Sequence, residues 1–412
     1  MGKNLHVQLL IMAIAVVAVI VLLPRVQEEP AEKKQRTQWF KGNTHTHSLW
    51  SDGNDFPDMI VAWYRERDYD FLALSDHNVL SRGERWMTTA AVEKRRKKPG
   101  TPVIEKYRHK FGGEWVETRG EGAAEEVRLK TLEEIRPRFE KEGEFILIEG
   151  EEITDGFRNR PVHINAINLG EVIPPQKGAS VVETMRNNLR AVAEQAEKLD
   201  RPIITHINHP NFGWGLSAPE LAEVVEEQFF EVYNGHPGVN HLGDANHPGD
   251  EQLWDLANAI RLGKLKAQPL YGVATDDSHY YHGGNVSPGR GWVVVRAEKL
   301  EAEALIEAME KGEFYASSGV ELEDFALAKE TYSVRIKARE GVTFSTQFIG
   351  TREGEGAVPG EVLATVEGLE PAYTLEGDEL YVRATVTSSQ LHPNPSFKDQ
   401  KEQAWTQPVA WK

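Results

Sequence analysis

The sequence predicts an α/β fold, a barrel or doubly wound sheet of parallel strands and helices, with a small antiparallel β domain after it. Three observations predict this. Short, largely apolar runs recur from Trp39 to about Gly319 with helical stretches between them. The runs are apolar on both faces, as buried strands of a parallel sheet are. From about Leu322 the pattern changes to period-two alternation, the mark of half-exposed antiparallel strands.

Taken in order, the chain opens on an unbroken apolar run, Leu9–Leu23, of fifteen residues between Lys3 and Pro24-Arg25. A helix of that length spans about 22 Å, short of the roughly 30 Å hydrocarbon core. Residues 1–24 therefore read as a signal peptide or signal anchor, and 25–38, rich in Pro, Glu, Lys and Gln, as a solvated linker. The expected strands are 71–75, 145–149, 202–205, 229–233, 271–275 and 292–296. The helices between them are expected over 58–67, 179–199, 251–262 and 298–311, with Pro57 near the first start and Gly312 just past the last end. Residues 80–142 break this rhythm with charge runs such as Glu93–Lys98 and read as an inserted helical lid. Tyr332–Ala338 and Leu380–Thr387 are the clearest alternating strands of the tail. The expected domains are 39–321 and 322–412.

Composition narrows the function. Lys plus Arg is 47 against 64 Asp plus Glu, a net charge of −17, which excludes a nucleic-acid coat or an anionic-membrane binder built on a basic face. There is no Cys, so disulfides, thiolate metal sites and Cys nucleophiles are excluded.

The 14 His residues are informative by position. Chemistry in parallel α/β folds gathers at the C-terminal ends of strands. Those ends carry His45-Thr-His47 with Ser51-Asp52-Gly53, then Ser75-Asp76-His77-Asn78, Gly150-Glu151-Glu152 and His163. They continue with His206-Ile-Asn-His209-Pro210, Tyr233-Asn234-Gly235 and Asp276-Asp277-Ser278-His279. On an extended strand end, residues i and i+2 share a face, so His45 and His47 point one way, as do Asp277 and His279. Imidazole with carboxylate is a ligand set for Zn, Mn or Fe.

In this combination the motifs resemble those of the PHP (polymerase and histidinol phosphatase) family, and specifically exported members with a β-rich tail. The resemblance covers about 40–320, including Glu231–Gly235 and Phe314–Gly319. It implies a distorted (β/α)7 barrel, metal-dependent phosphoesterase activity and two or three divalent ions. His45, His47, Glu152 and Asp277 match the ligands of one ion. Glu152 would bridge to a second held by His163 and His209, and Asp52, His77 and His279 match a third. His206, Asp276 and Glu151, with Glu149, are neighbours in which second-sphere or alternative ligands are sought.

The chemistry expected of such a site is hydrolysis of a phosphate ester by a metal-activated hydroxide attacking phosphorus in line. His77 or Asp76 is the candidate donor to the leaving group, and Arg290 the candidate phosphate clamp, because a guanidinium fork binds two phosphate oxygens. Asn234, with Tyr233, is expected to shape the substrate pocket. His236, His241 and His247 are rim candidates, whereas His6, His109 and His392 are unrelated. The expected substrate is a small-molecule or glycan-linked phosphate ester, and the apolar run places the enzyme in the cell envelope or periplasm, tethered to the membrane or released. An amidohydrolase-like enzyme acting on C–N or C–O bonds and a silent envelope binding protein are the alternatives.

Overall fold

The computed structural model describes residues 37–283, 285 and 288–411. The predicted signal or anchor and nearly all of the linker lie outside the described residues. Among those described, no helix is long and apolar enough to cross a membrane.

The first half of the chain builds the rim that matters. Strand β1 (Gln38–Asn43) leads to helix α1 (Pro57–Arg65), started by Pro57 in its first turn, and to the fully buried strand β2 (Phe71–Leu74). The predicted insertion is mixed and not purely helical. It contains β3 (Trp86–Thr88), α2 (Thr89–Arg95), α3 (Val103–Phe111), β4 (Thr118–Arg119), β5 (Glu126–Arg128) and α4 (Leu132–Phe139). Its three strands form a small sheet of their own in the order β3-β5-β4. Helix α4 starts at a capping box, with Thr131 accepting from Glu134 N and the Glu134 carboxylate accepting from Thr131 N.

Beyond it come β6 (Ile146–Phe157), β7 (Arg160–Ile167), α5 (Val181–Leu199), β8 (Ile204–Ile207), α6 (Ala218–Glu223), β9 (Phe229–Asn234) and α7 (Asp250–Ile260). Then follow β10 (Tyr271–Thr275), β11 (Trp292–Ala297), α8 (Ala302–Glu310) and β12 (Phe314–Ser317). The tail supplies β13 (Leu322–Ala328), β14 (Thr331–Ile336), β15 (Phe344–Arg352), β16 (Glu361–Glu367), β17 (Ala372–Thr374), β18 (Glu379–Leu391) and β19 (Lys401–Thr406).

Thirteen strands form one sheet in the order β10-β9-β8-β7-β6-β2-β1-β11-β12-β19-β18-β15-β16. The architecture is therefore mixed α/β, and the sheet is not a closed barrel. The edge of β12 is taken by β19, so the sheet runs on into the tail. Its β10 end instead approaches β1 at one rim, where Thr46 bridges Ser278 and His47 N donates to Ser278 O over 3.0 Å. Nor is the sheet uniformly parallel. β11 runs antiparallel to both β1 and β12, and β7 antiparallel to β6 and β8.

The tail is antiparallel β, as its alternation predicts, but it shares its core with the preceding part. Val294 and Tyr315 pack with Tyr332, Phe348, Val382 and Val386 in one buried cluster. Buried Arg383 on β18 donates to both carboxylate oxygens of Asp255 on α7, at 2.9 and 2.7 Å.

Candidate metal centre

The parallel strands β1, β2, β6, β8, β9 and β10 bring most of the predicted site residues to one rim, as parallel α/β topology requires. His45 and His47 follow β1 and are fully buried. Between them Thr46 turns away, bridging Ser278 and donating its hydroxyl to Ala73 O. Glu152 lies within β6, and on a pleated strand its neighbour Glu151 faces the opposite side. Two residues at this rim, His209 and Asp277, have positive φ, at 24° and 45°, a conformation that L-residues hold only when their surroundings over-determine it.

The central group is defined by four buried atoms without hydrogen-bond partners: His45 Nε2, His47 Nε2, Glu152 Oε2 and Asp277 Oδ1. His45 Nε2 is 3.5 Å from Glu152 Oε2 and 3.4 Å from Asp277 Oδ1. His47 Nε2 is 3.4 and 3.2 Å from the same atoms. A tetrahedral ion with bonds of about 2.0–2.1 Å spaces its ligand atoms roughly 3.3 Å apart. The four nitrogen–oxygen separations are close to that spacing, so His45, His47 and Glu152, with Asp277 beside the two imidazoles, are a donor set that suits a divalent ion, and orphaned polar atoms of this kind are otherwise expensive to bury.

Glu152 reaches both ways. Its Oε2 faces the central group and also lies at ion-pair distance, 2.7 Å, from His77 Nδ1, while Oε1 lies 2.9 Å from His163 Nδ1 and 3.3 Å from His209 Nε2. A third group gathers on Asp52 Oδ1, with His279 Nε2 at 3.3 Å, His77 Nε2 at 3.6 Å and His47 Nδ1 at 3.9 Å. Asp52 is 57% exposed, so the third group forms the open face of an otherwise buried cluster. The turn that carries it needs Gly53, because a Cβ there would stand 2.4 Å from His47 O.

Charge within the cluster is arranged by burial and by close opposite charges. Burial raises the cost of ionising Glu152, but His77, His45 and His163 outweigh it and hold the carboxyl well below its usual range. Asp277 is likewise held down against burial, chiefly by His45 and His47. Burial and the neighbouring His279 and His77 push His47 down to about 3, which keeps it a neutral ligand. His77 is pushed up to about 9, as Glu152 more than offsets its burial.

The structure also shows what orients the ligands. Glu231, a fully buried carboxylate in the apolar strand β9, accepts from His45 Nδ1 at 2.6 Å, from His209 N at 2.7 Å, from Thr275 Oγ1 at 2.7 Å and from Asn234 Nδ2 at 2.7 Å. This fixes the His45 tautomer with Nε2 free for a cation. His279 Nδ1 donates to Asp277 O at 2.9 Å, which frees its Nε2 in the same way. Sequence reasoning assigned Glu231 no role. The available signal was a carboxylate inside Phe229–Asn234, a strand apolar enough to be buried on both faces.

Several of the predicted site residues have other partners. Arg290, the candidate phosphate clamp, is buried, and its guanidinium donates to Gly235 O, Asn394 O and Asn394 Oδ1, tying the rim to the tail. The carboxylate of Asp76, a candidate proton donor, accepts from Ser48 N, Ser48 Oγ, Ser51 N and Ser51 Oγ and so shapes the 48–51 turn. Asp276 accepts from Tyr64 Oη and from the backbone of 289–291, outside the ligand groups. Glu151 instead accepts from Ile173 N on the other face of β6. Asn234 is buried and donates to Glu231 and Asp277, which places it behind the candidate ligands, while the Tyr233 hydroxyl meets Ser396 and Gln400 of the tail. His206 lies behind His45, 3.1 Å from Thr44 Oγ1, and does not replace His209 as a ligand. Of the rim candidates, His236 overlooks the site with its ring 5.6 Å from that of His279, whereas His241 pairs with Asp250 and His247 with Asp244.

No family model and no curated protein matches the chain. Among solved structures, it is similar to a two-domain protein from Bacteroides vulgatus described as containing a predicted PHP-like metal-dependent phosphoesterase. The two share 13% identity at a TM-score of 0.40, over 90% of this chain and 95% of that one. That neighbour is PHP-like. An amidohydrolase from Chromobacterium violaceum, solved with sulfate and no metal, matches at 13% identity and a TM-score of 0.28, over 58% of this chain and 88% of its own. PsfC from Pseudomonas syringae matches at 12% and 0.33, over 66% and 88%. Likenesses this loose leave the chemistry to the geometry of the cluster itself.

Proposed function

We propose that the chain is a metal-dependent phosphoesterase of the PHP type. The observation that supports this most is that buried His45 and His47 Nε2 each stand 3.2–3.5 Å from Glu152 Oε2 and Asp277 Oδ1, flanked by two further groups that share Glu152 and His47. His45, His47, Glu152 and Asp277 would hold one divalent ion, Glu152, His163 and His209 a second, and Asp52, His77 and His279 a third. Bound there, two or three such ions would neutralise a phosphate ester, orient it and acidify a water.

The chain's own residues do the rest. Exposed Asp52 marks the side from which substrate approaches. Glu231 and Asn234 keep His45, His209 and Asp277 aimed without reorganisation during turnover. His236 accepts a hydrogen bond from Gly238 N at Nδ1 over 3.0 Å, and burial lowers its pKa, which favours the neutral ring with its proton on Nε2. From beside His279, that N–H is placed to donate to a substrate oxygen. We further propose that Leu9–Leu23 directs export and that residues 322–412 support the sheet without contributing a ligand.

The test is to load the full-length chain with Zn, Mn or Fe and to screen phosphomonoesters, phosphodiesters and amides. Turnover of phosphate esters, lost in His47→Ala together with bound metal, is the expected result. Turnover of amides alone would overturn the reading in favour of an amidohydrolase.

A further inference from the structure

The sequence holds one run of five basic residues, Lys94–Lys98, in a chain of net charge −17. The fold delivers it to the open side of the metal cluster. Arg95, the last residue of α2, donates to Gly53 O over 2.9 Å, next to Asp52. Asn54 returns the contact by donating to Arg95 O. Lys97 Nζ sits 4.5 Å from the ring centre of Tyr280, which follows His279. The Lys98 chain lies over Gly283, where a Cβ would stand 2.7 Å from its Cγ. One basic segment is thus fastened to the turns that carry Asp52 and His279, two of the third group's members.

Its charge is not consumed locally. Arg96 pairs with Glu93 at 3.1 Å, but among the described residues Lys94, Arg95, Lys97 and Lys98 meet no carboxylate at ion-pair distance. Most other lysines and arginines of the insertion do, including Arg108, Lys110, Arg119, Arg128, Lys130 and Arg136. Lys94, Lys97 and Lys98 are exposed. Unpaired cations beside a cleft attract anions over roughly a Debye length, about 8 Å at physiological salt.

Resting on the phosphoesterase reading, we propose that Lys94, Lys97 and Lys98 form a recognition rim for a second anionic group of the substrate. The substrate class is then a small phosphate ester bearing another phosphate or a carboxylate beyond the scissile one. The insertion supplies specificity, and the strand ends supply chemistry.

Two measurements on the full-length chain test this. The first is calorimetric titration of chelator-stripped protein with inorganic pyrophosphate and with inorganic phosphate. Pyrophosphate is expected to bind at least tenfold more tightly, and Lys94→Gln/Lys97→Gln/Lys98→Gln to weaken it at least tenfold at an unchanged melting temperature. Equal binding of the two anions, or pyrophosphate binding untouched by the triple variant, overturns the rim. The second compares kcat/KM of metal-loaded protein for a carboxylate-bearing phosphomonoester and for its neutral methyl ester. That ratio is expected to fall at least tenfold in the triple variant, and an unchanged ratio also overturns the rim. Absence of turnover for every ester, with the pyrophosphate preference intact, would sink the catalytic reading while leaving the rim standing.

Discussion

Adjacent carboxylates on β6 separate cleanly because the strand sends them to opposite faces. Glu152→Gln is expected to lose most bound metal, since one oxygen faces each of two ligand groups, whereas Glu151→Gln should retain it; metal content after gel filtration checks both. Burial holds Glu151 up at about 7, against an ordinary value of 4.5. Between those pH values the native state keeps a proton that the unfolded chain has released, so this group lowers stability as pH rises. Glu151→Gln should therefore be more stable than wild type at pH 8, by at most about 3 kcal/mol, and close to it at pH 4.5, as read by denaturant melts. Glu231 acts through the ligands it holds. Glu231→Gln cannot accept from four donors, and its metal affinity should fall about 10–100-fold in competition with a chelating dye.

At the scale of elements, the insertion is latched to α1 through buried Asp58, which accepts from Tyr107 Oη at 2.6 Å and Trp115 Nε1 at 2.5 Å. Tyr107→Phe leaves one acceptor short of a donor, at a cost of about 1–3 kcal/mol, and should speed proteolytic nicking between 96 and 125. The apolar runs at 71–75, 145–149, 229–233 and 271–275 were legible as strands because burial on both faces leaves no polar alternation. Their direction was not. Trp292–Arg296 reads the same whether its neighbours are parallel or antiparallel, since hydropathy records burial and not orientation. β7 was missed because Arg160, Pro161, His163 and Asn165 interrupt its apolar residues. The side-chain groups that could hold a metal ion were legible because i, i+2 pairs and strand ends are local features. Glu231, Asn234 and Arg290 were not, because their roles depend on partners distant in sequence: His45 lies 186 residues from Glu231, Asp277 43 from Asn234 and Asn394 104 from Arg290.

For the whole molecule, one of the contacts that join the tail to the rest is the buried ion pair between Arg383 and Asp255 of α7. Arg383→Ala would strand Asp255 without its cation and should destabilise the protein by about 3–5 kcal/mol, visible as one lowered transition in calorimetry. The pairing of β12 with β19 also dictates the order of events during synthesis. Every candidate ligand has left the ribosome once residue 279 is clear, yet the sheet that bears them stays unfinished until Thr406 emerges. At 5–20 residues per second the interval is roughly 6–25 s. During it the nascent chain exposes an unpaired β12 edge and a half-covered core, so a premature stop between residues 318 and 400 would yield a protein with all its candidate ligands and an open, aggregation-prone edge.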